Sequence, residues 1–419
     1  MEDPKLIDKW FSQLPPHLRY AAGALIRLAD DSGIPLYLVG GPVRDLLLGR
    51  PSLDLDFVVK GDATAVAQHL GTHLRVRPIL HPTFFTASLR LDKATLDLTT
   101  ARAETYRRPG ALPTVRPSHI DDDLARRDFT INAMALCLTT PRRGALLDPF
   151  AGRSDLRRRL IRALHPSSFV DDPTRALRAA RYAARLGFCL EDQTLRHLRS
   201  ALPHLEAVSP ARIHQEVARI LREDTPEQAL LLLQEWGVLS AIHPTLSFDG
   251  PRATAFAELR SLNPTAAPAA YWPLLAWNSD ESSVAVIIRR MGLTKSQAQS
   301  VTMAPRVRWL QHGLFWSALR PSEIVAALSP YPLATLWAFA VTAQGLARQR
   351  TLEYLQHLRH VRPALRGGDL QVLGVPPGPI TGEVLRRLKV AKLDGVVTTR
   401  KEEEKFVLSL KPQTHTGAS

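Results

Sequence analysis

The pattern of apolar and polar positions is most informative between residues 36 and 59. Leu36 to Val39 form a short apolar run that predicts a buried strand, and a pair of glycines ends it. Val43 to Leu48 is typical of a short helix, for which Gly49 supplies the C-terminal cap. The stretch therefore predicts a strand, a tight turn and a short helix, followed by a second strand.

The second predicted strand alternates three apolar residues, Leu53, Leu55 and Phe57, with Asp54 and Asp56. Because side chains alternate between the two faces of a strand, both carboxylates project from one side while the apolar residues enter the core. Two neighbouring aspartates repel each other unless a cation lies between them. All-oxygen ligands suit Mg²⁺, which also binds substrate phosphates. The pattern predicts a magnesium site at the two carboxylates.

The turn before the short helix carries features that suit a phosphate group. Gly40 and Gly41 keep the backbone N–H groups at the helix start clear of side chains, and Arg44 adds a permanent cation. Each feature also has an ordinary explanation, because paired glycines are common in turns and D-x-D usually belongs to a solvated strand face. The sequence has no G-x-x-x-x-G-K-[ST] motif, so the phosphate site is not of the Walker type.

Helical periodicity is clear on both sides of this stretch. Residues 1–35 are predicted to be largely helical, with a break at Pro15 and Pro16. The apolar face of the second helix consists of Leu18, Ala22, Leu25 and Ala29. Ala63 to Leu70 predicts a further helix. The N-terminal helices would cover one face of the sheet.

Two more strands are predicted next, from Phe84 to Leu89 and from Ala94 to Leu98. They form a hairpin whose turn lies near Asp92 and Lys93. Asp97 would then lie on a strand next to the D-x-D strand. It is a candidate third carboxylate, although a single strand aspartate can equally be structural.

From Ala101 to Asp123 the periodicity fails. The segment ARAETYRRPGALPTVRPSHIDDD is rich in Arg, Pro and Gly and is predicted to be a long mobile loop. Loops of this length inside a compact domain are usually functional lids or disordered segments.

Arg126, Arg127 and Asp128 follow this loop, in DLARRDFTINAMAL. Local sequence favours a structural role, in which Asp128 caps a helix from Phe129 to Leu136 while the two arginines face water. The alternative is that Arg127 binds a triphosphate and Asp128 binds a ribose. The local residues leave both alternatives open.

A second group of candidate residues lies in DDPTRALRAARYAARLGF. Pro173 suits the first position of a helix, which makes Asp172 an N-cap candidate. The arginines of this helix recur at three- and four-residue spacing: Arg175, Arg178, Arg181 and Arg185. Such a stripe is usually a solvated face or binds a nucleic-acid backbone.

The second half of the chain is predicted to be helical throughout. Pro210 to Glu223 has a helical pattern, and no strand-like alternation follows it. The longest uncharged run, Ile324 to Ala347, is interrupted by Pro330 and Pro332. It predicts a core helix after a turn rather than a membrane span.

Composition narrows the class of partner. The 54 Lys and Arg residues exceed the 40 Asp and Glu residues, which gives a net charge of +14. This excess favours a polyanionic partner, nucleic acid before a membrane surface. Cys137 and Cys189 fit no metal-binding spacing and suggest a reducing compartment. Met1 to Lys9 is charged with no apolar core behind it, so we expect no signal peptide and a cytoplasmic location.

The motifs together resemble a known superfamily. The order G-G-x-V-R-D, then D-x-D ten residues after Arg44, resembles the nucleotidyltransferases that include DNA polymerase β. LVGGPVRDLLLGRPSLDLDFVV is similar to the class II tRNA nucleotidyltransferases (CCA-adding enzymes) and bacterial poly(A) polymerases, and so are RRDFTINA and LLDPFAGRSDL. In that family a flexible loop lies where residues 101–123 lie here, and it helps to switch nucleotide specificity. The segment from Gly367 to Gly395 resembles the tail that holds the tRNA elbow.

The resemblance implies roles for the candidate residues. It reverses the local preference at the RRD motif, so that Arg127 is expected to bind the triphosphate and Asp128 the ribose. Asp148 and Asp155 are expected to support the junction between head and neck. The helix after Pro173 is expected to bind nucleotide through Asp172, Arg175, Arg178 and Arg181.

The pair formed by Asp172 and Arg175 has a chemical rationale. Cytosine and adenine each present an exocyclic amine donor next to a ring-nitrogen acceptor, which a carboxylate and a guanidinium complement. Guanine and uracil present a ring N–H and a carbonyl, and such mismatches are costly in a dry site. One Asp–Arg pair can thus admit C and A without a nucleic-acid template. The family commonly has Glu-Asp where this chain has Asp171 and Asp172, which keeps the charge.

The resulting prediction is an α+β fold: a nucleotidyltransferase (DNA polymerase β-like) head with a small sheet, followed by an all-helical neck, body and tail. The predicted boundaries are 1–140 for the head, 141–222 for the neck, 223–320 for the body, 321–410 for the tRNA-binding tail and 411–419 for a disordered end.

The predicted activity is template-independent addition of CMP and AMP, from CTP and ATP, to the 3′ end of tRNA. Asp54 and Asp56 would be catalytic and would hold two Mg²⁺ ions. Inside the family, CC-only addition, A-only addition and poly(A) synthesis stay open. Outside it, the alternative is a catalytically inactive RNA-binding protein. No membrane partner is expected, and the sequence leaves the oligomeric state open.

Overall fold

The computed structural model describes residues 4–92, 94–313 and 316–410. The chain divides into two compact units, with the boundary between Ile242 and His243. The predicted turn residue Lys93 and the predicted disordered end at 411–419 lie outside the described residues.

The strands all belong to the first unit. In chain order they are β1 (Leu36–Val39), β2 (Leu55–Val59), β3 (Ile79–His81), β4 (Thr86–Leu91), β5 (Ala94–Thr100), β6 (Arg102–Thr105), β7 (Thr114–Pro117), β8 (Ala135–Cys137), β9 (Leu146–Leu147), β10 (Leu160–Ile161) and β11 (Cys189–Leu190). The main sheet has seven strands in the order β3-β4-β5-β2-β1-β8-β9. Two small ribbons, β6-β7 and β10-β11, stand apart from it.

The register of the sheet decides which polar side chains meet. Strands β2 and β5 run parallel, and Asp56 lies opposite Asp97. The other neighbouring pairs of the main sheet are antiparallel. The expected hairpin between β4 and β5 is confirmed, with Leu91 opposite Ala94. The sheet therefore places Asp97 beside the D-x-D strand, as the sequence predicts.

The helices of the first unit cover this sheet and continue beyond it. They are α1 (Pro4–Gln13), α2 (Pro16–Asp31), α3 (Gly41–Leu47), α4 (Ala63–Leu74), α5 (Ile120–Ala125), α6 (Gly152–Arg158), α7 (Ser168–Asp171), α8 (Arg175–Leu186), α9 (Asp192–Ala201), α10 (Pro210–Ile220), α11 (Pro226–Glu235) and α12 (Val238–Ile242). Short 3₁₀ turns lie at Pro82–Phe84, Thr130–Asn132 and Leu202–Ala207. The predicted break before Pro16 and the predicted buried face of α2 are both confirmed.

Two strand boundaries differ from the predictions. Leu53 does not enter the core: it is 55% exposed, because pairing between β2 and β5 starts only at Leu55. Phe84 belongs to a 3₁₀ turn rather than to β4, which begins at Thr86. The buried positions of β2 include Val58 as well as the alternating residues, since both faces of this central strand are covered near its end.

The predicted helix from Phe129 to Leu136 is wrong. The chain makes a 3₁₀ turn at Thr130–Asn132 and then enters β8, which pairs with β1 on one side and β9 on the other. All three β8 residues are buried. A short apolar run buried on both faces of a sheet has the same composition as a buried helix segment, so periodicity does not separate them.

The prediction of a loop throughout Ala101 to Asp123 is also wrong. Strands β6 and β7 form an antiparallel hairpin, and α5 begins at Ile120. The hairpin stands outside the main sheet and carries ion pairs, such as Arg102 Nη2 to Glu104 Oε1 at 3.1 Å, instead of a buried apolar face. Apolar alternation is therefore missing, although the backbone is regular. Residues 106–113 connect the two strands.

The second unit is helical in its described residues, as predicted. Its helices are α13 (Gly250–Leu262), α14 (Ala267–Leu275), α15 (Glu281–Arg290), α16 (Lys295–Thr302), α17 (Ala304–Arg308), α18 (Leu310–Gly313), α19 (Pro321–Leu328), α20 (Leu333–Thr342), α21 (Gly345–Gln356), α22 (Gly367–Val372), α23 (Pro379–Leu393) and α24 (Arg400–Ser409), with a 3₁₀ turn at Leu358–His360. The predicted core helix is α20, whose residues from Thr335 to Val341 are all buried.

No single helix of the described residues is both long and apolar enough to cross a bilayer. By length and composition alone, α19 and α20 pass only as a pair, and they are bent by 114° relative to each other.

Candidate active site

A polar cavity of about 300 Å³ lies between the end of β1, strand β2 and helix α8. Its lining residues are Gly40, Gly41, Asp56, Glu104, Tyr106, Arg126, Arg127, Asp128, Asn132, Asp172, Arg175, Arg178 and Tyr182. Most of the predicted site residues are therefore brought together. A larger cavity of about 660 Å³ lies elsewhere in the same unit, against Lys60 and His119, and holds none of them.

The predicted metal ligands lie at the start of β2. Asp56 lines the cavity, while Asp54 precedes the strand and is exposed. Burial, together with the negative charges of Asp97 and Asp54, raises the pKa of Asp56 to about 6, although Arg127 opposes this. Uncompensated carboxylates at one strand end form a site where a cation relieves the repulsion.

The protein supplies only part of the set of ligands that a divalent cation needs. Within residues 4–92, 94–313 and 316–410, no three His, Cys, Asp or Glu side chains are close enough together to hold a metal ion. The hydroxyl of Ser88 donates to Asp97 Oδ1, so that oxygen already has a partner. Two aspartates therefore remain as candidate ligands. This suits an ion such as Mg²⁺, which keeps several waters and shares substrate phosphates.

The glycine turn allows an arginine to approach the backbone. Gly40 has φ 69°, a conformation that residues with a Cβ rarely adopt. A Cβ there would lie 2.6 Å from Nη1 of Arg127. The turn therefore needs glycine both for its backbone conformation and for the guanidinium packed against it.

Arg127 is only partly satisfied by the protein. Its Nη2 donates to Asp123 Oδ2 at 2.9 Å. Its Nε is buried and has no hydrogen-bond partner among the described residues. A buried, unpaired donor on a guanidinium at the cavity wall suits an anionic oxygen.

Arg126 and Arg127 share the carboxylate of Asp123. Arg126 Nη2 lies 2.8 Å from Asp123 Oδ1, and its Nη1 lies 2.8 Å from Glu104 Oε1. Burial raises the pKa of Asp123, but the two guanidinium groups outweigh burial and bring the pKa below its ordinary value. The alternative in which both arginines face water does not hold, since each lines the cavity, and binding of a triphosphate by Arg127 stays a prediction.

Asp128 is a buried anion that accepts hydrogen bonds on both of its carboxylate oxygens. Its Oδ1 accepts from the Phe129 N–H at 2.8 Å and from Asn132 Nδ2 at 3.0 Å. Its Oδ2 accepts from Arg178 Nε at 2.9 Å. Burial alone would raise the pKa of Asp128, but Arg178 and Asn132 lower it to about 2. Asp128 caps no α-helix, because the chain after it turns into β8.

Two of the predicted nucleotide-binding arginines lie outside the cavity lining. Arg44 is 4% exposed and donates to Asp45 Oδ1 at 2.9 Å and Asn132 Oδ1 at 2.7 Å. Arg181 lies 3.6 Å from Glu223 Oε1, and its guanidinium lies 4.7 Å from the Tyr182 ring centre. Their assignment to the nucleotide stays a prediction, and their contacts are those of framework residues.

Asp172 lies where α7 ends and the turn into α8 begins. The helix starts two residues later than predicted, and Asp172 Oδ1 accepts from the Thr174 N–H at 3.0 Å. The same oxygen accepts from Arg212 Nη2 at 2.7 Å. The protein donors thus converge on one carboxylate oxygen. Asp172 Oδ2 has no hydrogen bond to any described residue, and Asp172 is one of the residues that line the cavity.

The guanidinium of Arg175 is held in position by hydrogen bonds to two other residues. Its Nη1 donates to the hydroxyl of Ser168 at 2.5 Å, and its Nη2 donates to the carbonyl of Arg126 at 2.8 Å. The side chain is 5% exposed and lines the cavity. A carboxylate and a guanidinium therefore both line the cavity, and their action as a pair stays a prediction.

Sequence reasoning missed several residues that shape this site. Asn132 joins Arg44 to Asp128, and Glu104 anchors Arg126. Tyr106 and Tyr182 line the cavity, and Arg212 holds Asp172. The available signal for Asn132 was its place in RRDFTINA. Nothing local marks Arg212, since only the packing of α10 brings it to the site.

Asp148 and Asp155, which are expected to support the junction between head and neck, both make hydrogen bonds around α6. Asp148 Oδ1 accepts from the Gly152 N–H at 2.6 Å, at the start of α6. Asp155 is 3% exposed and joins the Thr130 hydroxyl, at 2.7 Å, to Arg162 Nε, at 3.0 Å. These bonds hold α6 against the turn that carries Asn132.

A mixed sheet that presents D-x-D carboxylates beside a glycine turn defines the class of protein as a nucleotidyltransferase. Residues 36–162 match the family described as Poly A polymerase head domain. Residues 187–249 match the family described as probable RNA and SrmB-binding site of polymerase A.

Curated relatives cover most of the chain. An A-adding tRNA nucleotidyltransferase of Halalkalibacterium halodurans is 34% identical over 88% of this chain and 87% of its own length. A CC-adding tRNA nucleotidyltransferase of Deinococcus radiodurans is 32% identical over 94% of each. An A-adding enzyme of Geobacter sulfurreducens is 31% identical, but the match spans 48% of its length. The chain belongs to the tRNA nucleotidyltransferase family, whose members are enzymes that add nucleotides to the 3′ end of tRNA.

Solved structures share the whole architecture. An apo CCA-adding enzyme gives a TM-score of 0.82 at 29% identity, over 98% of this chain and 99% of that one. CCA-adding enzyme with ATP gives 0.78 at 28% identity, over 98% and 99% of the two chains. The enzyme with CTP gives 0.77 at 29% identity, over 96% and 98%. The predicted fold class is confirmed.

Proposed function

We propose that this protein adds CMP and AMP, taken from CTP and ATP, to the 3′ end of tRNA without a nucleic-acid template. The observation that carries the proposal is the polar cavity, in which Asp56, Arg127, Asp128, Asp172 and Arg175 meet. These residues supply a candidate metal ligand, an anion-binding group and a base-complementary pair within one space.

Asp54 and Asp56 would hold the two Mg²⁺ ions. When bound there, the ions would lower the pKa of the attacking 3′-hydroxyl and balance charge on the triphosphate and the leaving pyrophosphate. Burial, and after it the neighbouring charges of Asp97 and Asp54, raise the pKa of Asp56 to about 6, and a cation bound there would offset both effects. The metal identity rests on the all-oxygen donor set.

The remaining wall residues would bind the rest of the nucleotide. Arg127 offers a buried, unpaired Nε to the triphosphate, and Gly40 and Gly41 keep that part of the wall free of side chains. Asp128, ionised at neutral pH because of its pKa of about 2, would accept from a ribose hydroxyl. Arg178 holds Asp128 in place and adds positive charge.

Asp172 and Arg175 would determine which nucleobases the site accepts. The free Oδ2 of Asp172 would accept the exocyclic amine of cytosine or adenine, and Arg175 would donate to the adjacent ring nitrogen. Uracil and guanine place a carbonyl and an N–H at those positions, so donors would face donors. A fixed pair of this kind selects C and A together.

A second candidate is addition of A alone, which is favoured by the 34% identical relative with that activity. Purified protein should be incubated with tRNA lacking CCA and with tRNA ending in CC, each with labelled CTP or ATP. CTP incorporation on the first substrate and ATP incorporation on the second support the full activity. ATP incorporation confined to the second substrate supports A-only addition. No incorporation with either substrate contradicts both.

The C-terminal half would bind the body of the tRNA. The helix α23 opens after a V-P-P-G-P run and carries Arg386, Arg387 and Lys389, which suits contact with phosphates. The neck, body and tail boundaries at 141, 223 and 321, and the cytoplasmic location, are part of this proposal.

A further inference from the structure

We propose that Tyr106 provides the ring on which the incoming base stacks. The inference rests on the proposed function, since it assumes that the cavity binds the base of CTP or ATP. Two aromatic rings, Tyr106 and Tyr182, line this cavity together with Asp172 and Arg175. A base held only by its edge leaves both of its faces unsatisfied, and aromatic side chains are the usual partners of such faces.

Tyr182 is already occupied by the protein. The guanidinium groups of Arg44, Arg178 and Arg181 lie 5.4, 5.8 and 4.7 Å from its ring centre. Its ring also packs edge-on against Phe129, with centroids 6.0 Å apart. Because three arginines and Phe129 already contact the ring of Tyr182, this ring is not the surface on which the base stacks.

The ring of Tyr106 has neither an aromatic nor a cationic partner among the described residues. The side chain is half-buried and follows directly on β6. Tyr106, Asp172 and Arg175 line the same cavity. The ring therefore borders the space in which the pair would hold the base edge.

The orientation of Tyr106 is fixed by its hydroxyl. It donates to Glu104 Oε2 at 2.9 Å, while Glu104 Oε1 accepts from Arg126 at 2.8 Å and from Arg102 at 3.1 Å. Burial and the charge of Glu104 raise the pKa of Tyr106, so the phenol stays protonated and remains a donor. A ring anchored in this way loses little freedom when a base binds.

The test measures equilibrium binding of CTP, ATP and inorganic tripolyphosphate to the full chain. Tyr106→Leu removes the ring, and Tyr106→Phe keeps the ring but removes the bond to Glu104. Tyr20→Leu, at a 57% exposed tyrosine on α2, is the matched control. Tripolyphosphate carries no base, so it separates stacking from a general disturbance of the site.

Tyr106→Leu should raise the Kd for ATP about tenfold and the Kd for CTP by a smaller factor, because adenine offers the larger face. Tripolyphosphate affinity should stay within twofold, and Tyr106→Phe should recover most of the ATP affinity. Equal losses for ATP and tripolyphosphate, or no loss for ATP, would overturn the inference. Failure of the wild-type protein to bind CTP or ATP would instead overturn the proposed function.

Discussion

At the scale of single residues, the site is defined by which polar atoms the protein leaves unpaired. Arg44 donates hydrogen bonds to Asp45 and Asn132, so it stabilises the wall of the cavity. Arg127 keeps a buried Nε without a partner, and Asp172 Oδ2 has no hydrogen bond to any described residue. Because an unpaired buried polar atom costs free energy, the Nε of Arg127 in the cavity wall is a candidate donor to a ligand oxygen.

Asp172→Asn tests the base-recognition role. Asn can rotate its amide and present a donor where the carboxylate presents only an acceptor, so kcat/KM for CTP and ATP should fall about tenfold or more. Preference over UTP and GTP should fall with it. Steady-state kinetics with all four nucleotides on tRNA lacking CCA provide the measurement. Asp171→Asn, at a neighbouring residue outside this cavity, is the control, and an unchanged preference in Asp172→Asn reduces Asp172 to a turn-capping role.

The pKa of Asp128 predicts a pH dependence of stability. Its pKa is lowered from 3.8 to about 2 in the folded protein, so its contribution is full above about pH 5 and is lost as the pH falls through 4 toward 2. Wild type should lose about 1 kcal/mol more stability than Asp128→Asn between pH 6 and pH 3. Urea unfolding at both pH values measures this, and equal losses in the two proteins would contradict the assigned ion pair with Arg178.

At the scale of elements, the site depends on how α6 packs against the turn before β8. That turn carries Asn132, which contacts both Arg44 and Asp128. Asp155 on α6 accepts from Thr130 in the same turn, and Gly152 lies directly against its backbone. A shift of α6 would therefore reach the cavity through Asn132, which is one of its lining residues.

Gly152→Ala tests this packing. A Cβ at residue 152 would lie 2.3 Å from the carbonyl oxygen of Thr130, so the helix or the turn must move. We expect a loss of about 1–3 kcal/mol in the free energy of unfolding, as for other overpacked sites. Gly382→Ala on α23 meets nothing within 4 Å and should be neutral or stabilising. Similar thermal shifts in the two variants would contradict the packing argument.

The sequence predicted elements where the local pattern and the tertiary environment agree. β1, β2 and the buried face of α2 are of this kind, since their apolar residues are buried where the local pattern predicts burial. The prediction of a helix from Phe129 to Leu136 was wrong because β8 pairs with a strand on each side. These pairings are not local in sequence, and they decided between strand and helix. The hairpin β6-β7 was not predicted because ion pairs replace apolar burial there. Glu104 and Tyr106 were missed for the same reason.

At the scale of the whole molecule, the location of the predicted site residues is compared with the net charge of the chain. The predicted catalytic and base-recognition residues all lie before Ile242, in the first unit. The second unit is built of helices in its described residues and contributes none of the cavity lining. The net charge of +14 exceeds what one nucleotide site needs and fits binding of a long polyanion.

Binding of tRNA should therefore depend on salt and on the second unit. The intact protein should lose at least about tenfold in affinity between 50 and 200 mM KCl, because counterions are released on binding. A protein truncated after Ile242 should bind tRNA more weakly and with a shallower salt dependence. Fluorescence anisotropy at several KCl concentrations measures both slopes, with CTP binding as the control for folding of the truncated form. Equal slopes and affinities would contradict a role for the second unit.

The proposed nucleotide transfer depends most directly on Asp54 and Asp56, the proposed metal ligands. The most direct measurement is single-turnover incorporation of labelled CMP or AMP into tRNA by the wild type, Asp54→Ala and Asp56→Ala. Asp8→Ala on α1, which replaces an exposed carboxylate outside the site, is the matched control. Loss of the metal ligands should slow incorporation by about 10³-fold or more while tRNA binding stays within twofold. Incorporation by either site variant within tenfold of the wild-type rate would contradict the account.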